Sequence, residues 1–154
     1  MKQILALKKT NPDDISITSI LDELSQNLLE RFGSDGKNSF TDWENNNPKY
    51  VFVIAELNSE IVGCGAIRPV SEYVGEVKRM YSKYKGKNIG KTILTFLEAE
   101  AIEIGYSELI LETRIKNEIA CIFYQKAGYI KITNYGKYAN NPEAICFEKT
   151  LIHN

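Results

Sequence analysis

Residues 84–92 read YKGKNIGKT, and the reading of this fragment decides the fold. It nearly spells a nucleotide-binding P-loop, which needs four residues between its first glycine and its Gly-Lys-Thr. Here only Lys87, Asn88 and Ile89 stand between Gly86 and Gly90-Lys91-Thr92. The P-loop reading fails again downstream. The next strand ends Leu111-Glu112-Thr113, without an aspartate placed for magnesium. A Rossmann reading fails as well, because Gly63-Cys64-Gly65 runs on into strand-like residues instead of a helix.

Outward from the fragment, GEVKRMY at Gly75–Tyr81 has the composition of a strand. On its other side Ile89, Ile93, Phe96, Leu97, Ala101 and Ile104 mark one face of a helix that Gly105 stops. ELILET at Glu108–Thr113 is a short apolar strand. Strand, helix and strand over 75–113 predict a right-handed crossover between parallel neighbours.

Farther upstream, residues 3–8 suit a first strand. Asn11-Pro12-Asp13-Asp14 then opens a helix carried by Ile17, Ile20, Leu21, Leu24, Leu28 and Leu29 and ended by Gly33. Residues 33–49 are polar and turn-rich, a connection long enough to carry function. Tyr50–Glu56 and Ile61–Val70 read as antiparallel strands joined by a tight turn at Asn58-Ser59-Glu60. Downstream, Glu118–Ala127 is helical and stopped by Gly128. Tyr129–Ile132 and Ala144–Leu151 supply two last strands. The prediction is an α/β (α+β) fold: a mixed, mostly antiparallel sheet of about six to seven strands flanked by helices.

A chain of 154 residues fits one domain, 1–154, with a proper core. The formal net charge of -1 gives no basic footprint for nucleic acid. No apolar run is long enough for a bilayer, and the apolar stretch at the start is too short for a secretory signal. The expected location is cytoplasmic, with no membrane partner. Cys64, Cys121 and Cys146 are scattered and odd in number, which favours reduced, mostly buried thiols. The one histidine is His153, so a His-based metal cluster or Ser-His-Asp triad is not expected, and no metal is predicted.

The loop lies between a strand and a helix. The first N–H groups of that helix lack internal partners, and its dipole favours an anion there. Gly86 and Gly90 permit a tight turn and close approach, and Lys85, Lys87 and Lys91 add positive charge. The loop therefore suits a phosphate or pyrophosphate. Taken alone it suits an ordinary strand-to-helix turn with solvated lysines equally well.

Residues 75–129 resemble the core of the GNAT superfamily of acyl-CoA-dependent N-acyltransferases. The family's phosphate motif, [Q/R]-x-x-G-x-[G/A], corresponds to Lys85-Gly86-Lys87-Asn88-Ile89-Gly90. Lys85 replaces Gln or Arg, and Asn88 replaces a glycine; asparagine tolerates a left-handed backbone better than most residues. Asn117, Ala120, Phe123, Tyr124, Gly128 and Tyr129 are similar to the family's later N-x-x-A-x-x-x-Y-x-x-x-G-[F/Y] pattern.

The resemblance implies acetyl-CoA as donor, an amine of a small molecule or peptide as acceptor, and a parallel central strand pair that splays apart. It implies that backbone N–H groups of residues 86–91 meet the pyrophosphate. The pantetheine would pair with backbone near Met80 and Tyr81, one of which supplies the oxyanion donor, and Asn117 would hydrogen-bond it. Tyr124 would protonate or hydrogen-bond the leaving thiolate. Glu76 would be the base, with Glu112 as second choice, although many relatives use no dedicated base. Trp43, Glu112 and Tyr135 are the candidates for contact with the acceptor. Asp35, Asp42 and Glu44 would suit a cationic amine or be plain solvated surface. The segment 134–138 either closes over substrate or is a simple turn. Simple alternation places Glu76, Lys78 and Met80 on one face and Val77, Arg79 and Tyr81 on the other, unless a bulge intervenes. A homodimer is open, since dimers are frequent in the family. The alternative function is a non-catalytic acyl-CoA sensor.

Overall fold

The computed structural model describes residues 4–14, 17–32 and 43–152. Gly33, Asp35, Asp42 and His153 lie outside the described residues. The elements run β1 (Leu5–Thr10), α1 (Thr18–Phe32), β2 (Val51–Leu57), β3 (Glu60–Pro69), β4 (Val74–Ser82), α2 (Ile89–Ile104), β5 (Glu108–Arg114), α3 (Glu118–Lys126), β6 (Ile130–Ile132) and β7 (Ala144–Thr150). A 3-10 turn at Gly136–Tyr138 precedes β7. Every predicted element is present, most with ends moved by a residue or two; α1 begins only at Thr18, several residues after the start expected at Asn11-Pro12-Asp13-Asp14.

The strands form one seven-stranded sheet in the order β1-β2-β3-β4-β5-β7-β6. Pairing is antiparallel throughout except between β4 and β5. The β2–β3 turn is tight because Asn58 and Ser59 both take positive φ, 52° and 68°, which matches the twist of the two strands. Gly105 ends α2 at φ 109° and donates its N–H to Ala101 and Ile102.

Each face of the sheet has its own apolar layer. The larger holds α2 and α3: Ile89, Ile93, Leu97 and Tyr124 pack with Val53, Val62, Leu109, Leu111 and Phe147. On the other face α1 places Ile17, Ile20 and Leu24 against Phe52, Ile54, Cys64 and Ala66.

The two glycines of Gly63-Cys64-Gly65 explain how α2 is seated. A Cβ on Gly65 would come within 2.6 Å of Met80 Sδ and 2.7 Å of Ile93, and one on Gly63 within 2.7 Å of Ile89. Overpacking of this kind costs about 1–3 kcal/mol. The helix thus lies directly on β3, and this close approach fixes where its N-terminus emerges.

Candidate active site

The parallel pair is short. Its register consists of Val74↔Glu108, Gly75↔Leu109 and Glu76↔Ile110. Beyond that point β4 stays with β3 as far as Ser82↔Gly63, while β5 stays with β7 as far as Arg114↔Ala144. The sheet therefore opens between Glu76 and the ends of the two strands. A bulge accompanies the opening: Ala66 pairs with Lys78 but Cys64 with Tyr81, so β4 carries an extra residue there. Arg79, inside the bulge, has φ 56°. Bulges bend and twist their strand, and β4 follows β3 away from β5.

The bulge also corrects the simple alternation. Met80 packs with the α2 layer, whereas Tyr81 joins the α1 layer and donates its hydroxyl to Glu23 at 2.6 Å. Glu76 and Lys78 do not share a face with Met80. The Arg79 carbonyl accepts from Cys64 Sγ at 3.2 Å on the β3 side. In a trans peptide the N–H points opposite to the carbonyl, so the Met80 N–H is turned away from β3, toward the opening. Lys83 donates its N–H to Val62 at 2.7 Å. By strand alternation the Tyr81 N–H then points to β3 as well. Of these two backbone N–H groups, that of Met80 is the one turned toward the opening.

The loop of the opening fragment follows β4 directly. Lys83 lies 3.0 Å from Glu60, and Tyr84 donates its hydroxyl to the same carboxylate at 3.0 Å, fastening the loop to the β2–β3 turn. Gly86 has φ 77° and Asn88 φ 57°, so the asparagine takes the left-handed conformation expected of it. Its side chain makes no cap hydrogen bond, but its carbonyl accepts from the N–H and hydroxyl of Thr92 at 2.9 and 2.7 Å. Lys85, Gly86, Lys87, Asn88 and Lys91 are exposed. Ile89 is different: the residue is 1% exposed, and its side chain anchors the helix in the core. Gly90 faces the Phe123 ring of α3, 3.5 Å from where a Cβ would stand. The N–H groups of the first turn have no partner within the helix, and no acidic residue sits there to oppose an anion.

On α3, Asn117 is the N-cap, accepting from the Ala120 N–H at 3.2 Å. Its amide oxygen thus holds the helix start, and its NH₂ is the group left to meet a ligand. Tyr124 is buried with ring centroids 5.1 Å from Phe123, 5.7 Å from Tyr129 and 6.4 Å from Phe147. The structure records no hydrogen bond from its hydroxyl to another described residue. Burial pushes that hydroxyl up, so it is protonated at neutral pH.

The opposite side of the opening carries a polar cluster. Tyr135 donates its hydroxyl to Glu76 Oε2 at 2.5 Å. Lys78 Nζ lies 3.5 Å from Glu76 Oε1 and donates to the Tyr138 hydroxyl at 2.7 Å. Glu112 stands two residues beyond the last paired residue of β5, as Lys78 does on β4, so the two are opposed across the opening. Burial raises the Glu112 carboxyl, against the pull of Lys78 and Arg114, and burial lowers the Lys78 ammonium against the pull of Glu76. The Tyr135 hydroxyl is raised by burial and then by Glu76, and it remains a donor. The structure therefore joins Glu76, Glu112 and Tyr135, which the sequence proposed separately, and adds Lys78 and Tyr138. Lys78 carries little sequence signal of its own, standing between Val77 and Arg79.

Trp43 is half-buried against Tyr50 and Phe52 at 4.9 and 6.4 Å, edge to face, and so packs as an anchor on the α1 layer. Glu44 is exposed and hydrogen-bonds Tyr50. Cys64 is pushed up to about 12 by burial and is an inert thiol, Cys146 is buried, and Cys121 is half-buried. Among the described residues no group of three or more His, Cys, Asp or Glu could hold a metal ion. Nor is any helix among them long and apolar enough to cross a membrane.

A mixed sheet whose single parallel pair parts beside a glycine-bearing helix start defines the class of acyl-CoA N-acyltransferases. The acetyltransferase (GNAT) family model matches residues 17–129, so the chain belongs to that family and is an acyltransferase. An "IAA acetyltransferase" of Azospirillum brasilense is 28% identical over 150 residues, covering 96% of this chain and 98% of that one. A crystal structure of a "putative acyl-CoA N-acyltransferase" from Klebsiella pneumoniae superposes with a TM-score of 0.79 at 26% identity, over 97% of this chain and 99% of the other. A GNAT family acetyltransferase of Elizabethkingia anophelis with acetyl-CoA bound shares the fold, with a TM-score of 0.71 at 20% identity over 96% and 98% of the two chains.

Proposed function

We propose that the chain is a single domain that transfers an acetyl group from acetyl-CoA to a primary amine by direct attack. The observation that carries this reading is the opening between β4 and β5 beyond Glu76, adjoined by the left-handed Asn88 at the start of α2. The residues suit the donor. First-turn N–H groups of Ile89, Gly90 and Lys91 hold the pyrophosphate, and Lys85, Lys87 and Lys91 balance its charge. Backbone of Gly86 and Asn88 shapes the cradle. The pantetheine lies along β4 in the opening, near Met80 and Tyr81, and the Asn117 NH₂ meets one of its amides.

When bound, acetyl-CoA supplies the reactive thioester. Glu76, held by Tyr135 and Lys78, takes the proton from the acceptor amine. The Met80 N–H stabilises the developing oxyanion. Tyr124 gives its proton to the departing sulfur, or hydrogen-bonds it. The acceptor approaches from the face carrying Glu76, Glu112 and Tyr135, with Trp43 at its margin.

The test is a thiol-release assay with acetyl-CoA and a panel of polyamines, amino acids, aminoglycosides and peptides. Amine-dependent release of CoA is expected with at least one class. Tight acetyl-CoA binding without release across the panel would instead favour an acyl-CoA sensor.

A further inference from the structure

Among the described residues, Glu76 and Lys78 are the only charged side chains that are buried, at 8% and 9% exposure. Burying an ammonium is costly unless a specific arrangement repays it, and the arrangement here is a closed ring. Tyr135 bonds Glu76 at 2.5 Å, Glu76 lies 3.5 Å from Lys78, and Lys78 bonds Tyr138 at 2.7 Å. The rings of Tyr138 and Tyr135 meet edge to face at 5.6 Å and 90°. The ring joins β4 to the segment before β7, so it fixes that segment as well as the carboxylate.

The charged and titratable groups around it come from every neighbouring element: Arg68 of β3, Glu112 and Arg114 of β5, Lys137 of the 3-10 turn and Cys146 of β7. Lys78 is the cation in ion-pair contact with Glu76. Glu112 is a second carboxylate across the opening.

We propose that Lys78 is a positioning residue for the reaction, fixing the orientation of the Glu76 carboxylate through its ammonium. This rests on the reading of Glu76 as the base. Without the ammonium, one Glu76 oxygen keeps its bond to Tyr135 while the other loses its ion-pair contact at 3.5 Å. A base turned out of line with the acceptor slows the chemical step and leaves donor binding untouched. Replacing Lys78 with Met should therefore lower kcat about tenfold or more, with little change in the KM for acetyl-CoA.

The experiment measures kcat and KM of the full chain for the fastest amine of the panel, with the melting temperature of each variant. Lys78→Met and Lys78→Gln should both lower kcat; Gln retains a donor for Tyr138 and guards against misfolding of the Met variant. Lys78→Arg should restore it. A purely structural role would lower melting temperature and leave kcat of the folded variant unchanged, and an unchanged kcat in folded Lys78→Gln overturns the proposal. If Lys78→Gln slows the reaction but Glu76→Gln keeps its rate, the base reading fails instead.

Discussion

Asn88 offers a sharp test of the donor seat because one backbone angle carries the argument. At φ 57° and ψ 24° it lies in the left-handed region, and its exposed side chain makes no cap hydrogen bond. Replacing it with Val removes no packed contact but forces a β-branched residue into that conformation, which costs about 1–2 kcal/mol. The buried Ile89 and Ile93 still hold α2 on the sheet. The strain falls on the loop, and a loop that escapes it abandons the cradle. Every 1.4 kcal/mol is a factor of about ten in affinity, so the affinity for acetyl-CoA should fall about 5- to 30-fold. Asn88→Gly relieves the angle and should bind as well as the natural chain or better. Calorimetry with CoA reads the affinity independently of chemistry, and circular dichroism checks the helix. Unchanged affinity in Asn88→Val would refute the claim that this backbone shape makes the seat. A large loss in Asn88→Gly would show that the amide side chain itself binds.

Tyr124→Phe keeps the buried ring and loses a hydroxyl with no recorded partner. It should lower kcat about 100-fold or more with little change in the KM for acetyl-CoA or in melting temperature. An unchanged turnover rate would exclude the acid role. Glu112→Gln tests the opening's electrostatics through pH. Burial raises the Glu112 carboxyl in the native state, so the native chain holds this proton to higher pH than the unfolded one. In that window Glu112 makes stability fall as pH rises, and above it the charged carboxylate remains a penalty. The variant should be more stable at neutral pH and lose that slope, read from urea midpoints. A slope as steep as in the natural chain would count against it.

The elements were legible because each has one dominant period and clear stops. Gly105 and Gly128 end their segments with positive φ, 109° and 97°, as glycine-stopped elements should. The loop was legible because its signal is local: glycine and asparagine at the two positions with a left-handed backbone are a statement about three or four residues. The polar cluster was not legible as a cluster. Tyr135 and Glu76 are 59 residues apart, and Lys78 and Tyr138 are 60 apart. No periodicity connects them, and what brings them together is the order in which β5 and β7 join the sheet. In sequence Lys78 is an ordinary polar residue of an alternating strand; its burial in the fold is what sets it apart.

The facing of β4 departs from simple alternation because the bulge intervenes. A bulge leaves no residue type that must appear in sequence, and here the residue that absorbs it is Arg79, an unfavourable choice for a positive φ. That strain, about 1–3 kcal/mol for such a backbone, is tied to three consequences at once. It turns Met80 onto Gly65 beneath α2, helping to set where the helix begins. It sends Tyr81 to Glu23 on α1. And it leaves the Met80 N–H facing the opening, with Glu76 and Lys78 on the other face. A regular β4 would put the sulfur of Met80 among the charged side chains and Tyr81 under the helix, and both the donor seat and the acceptor face would lose their shape. The strain persists because both layers of the core hold the strand in that geometry, and the opening it creates is where, in the proposed reaction, donor and acceptor meet.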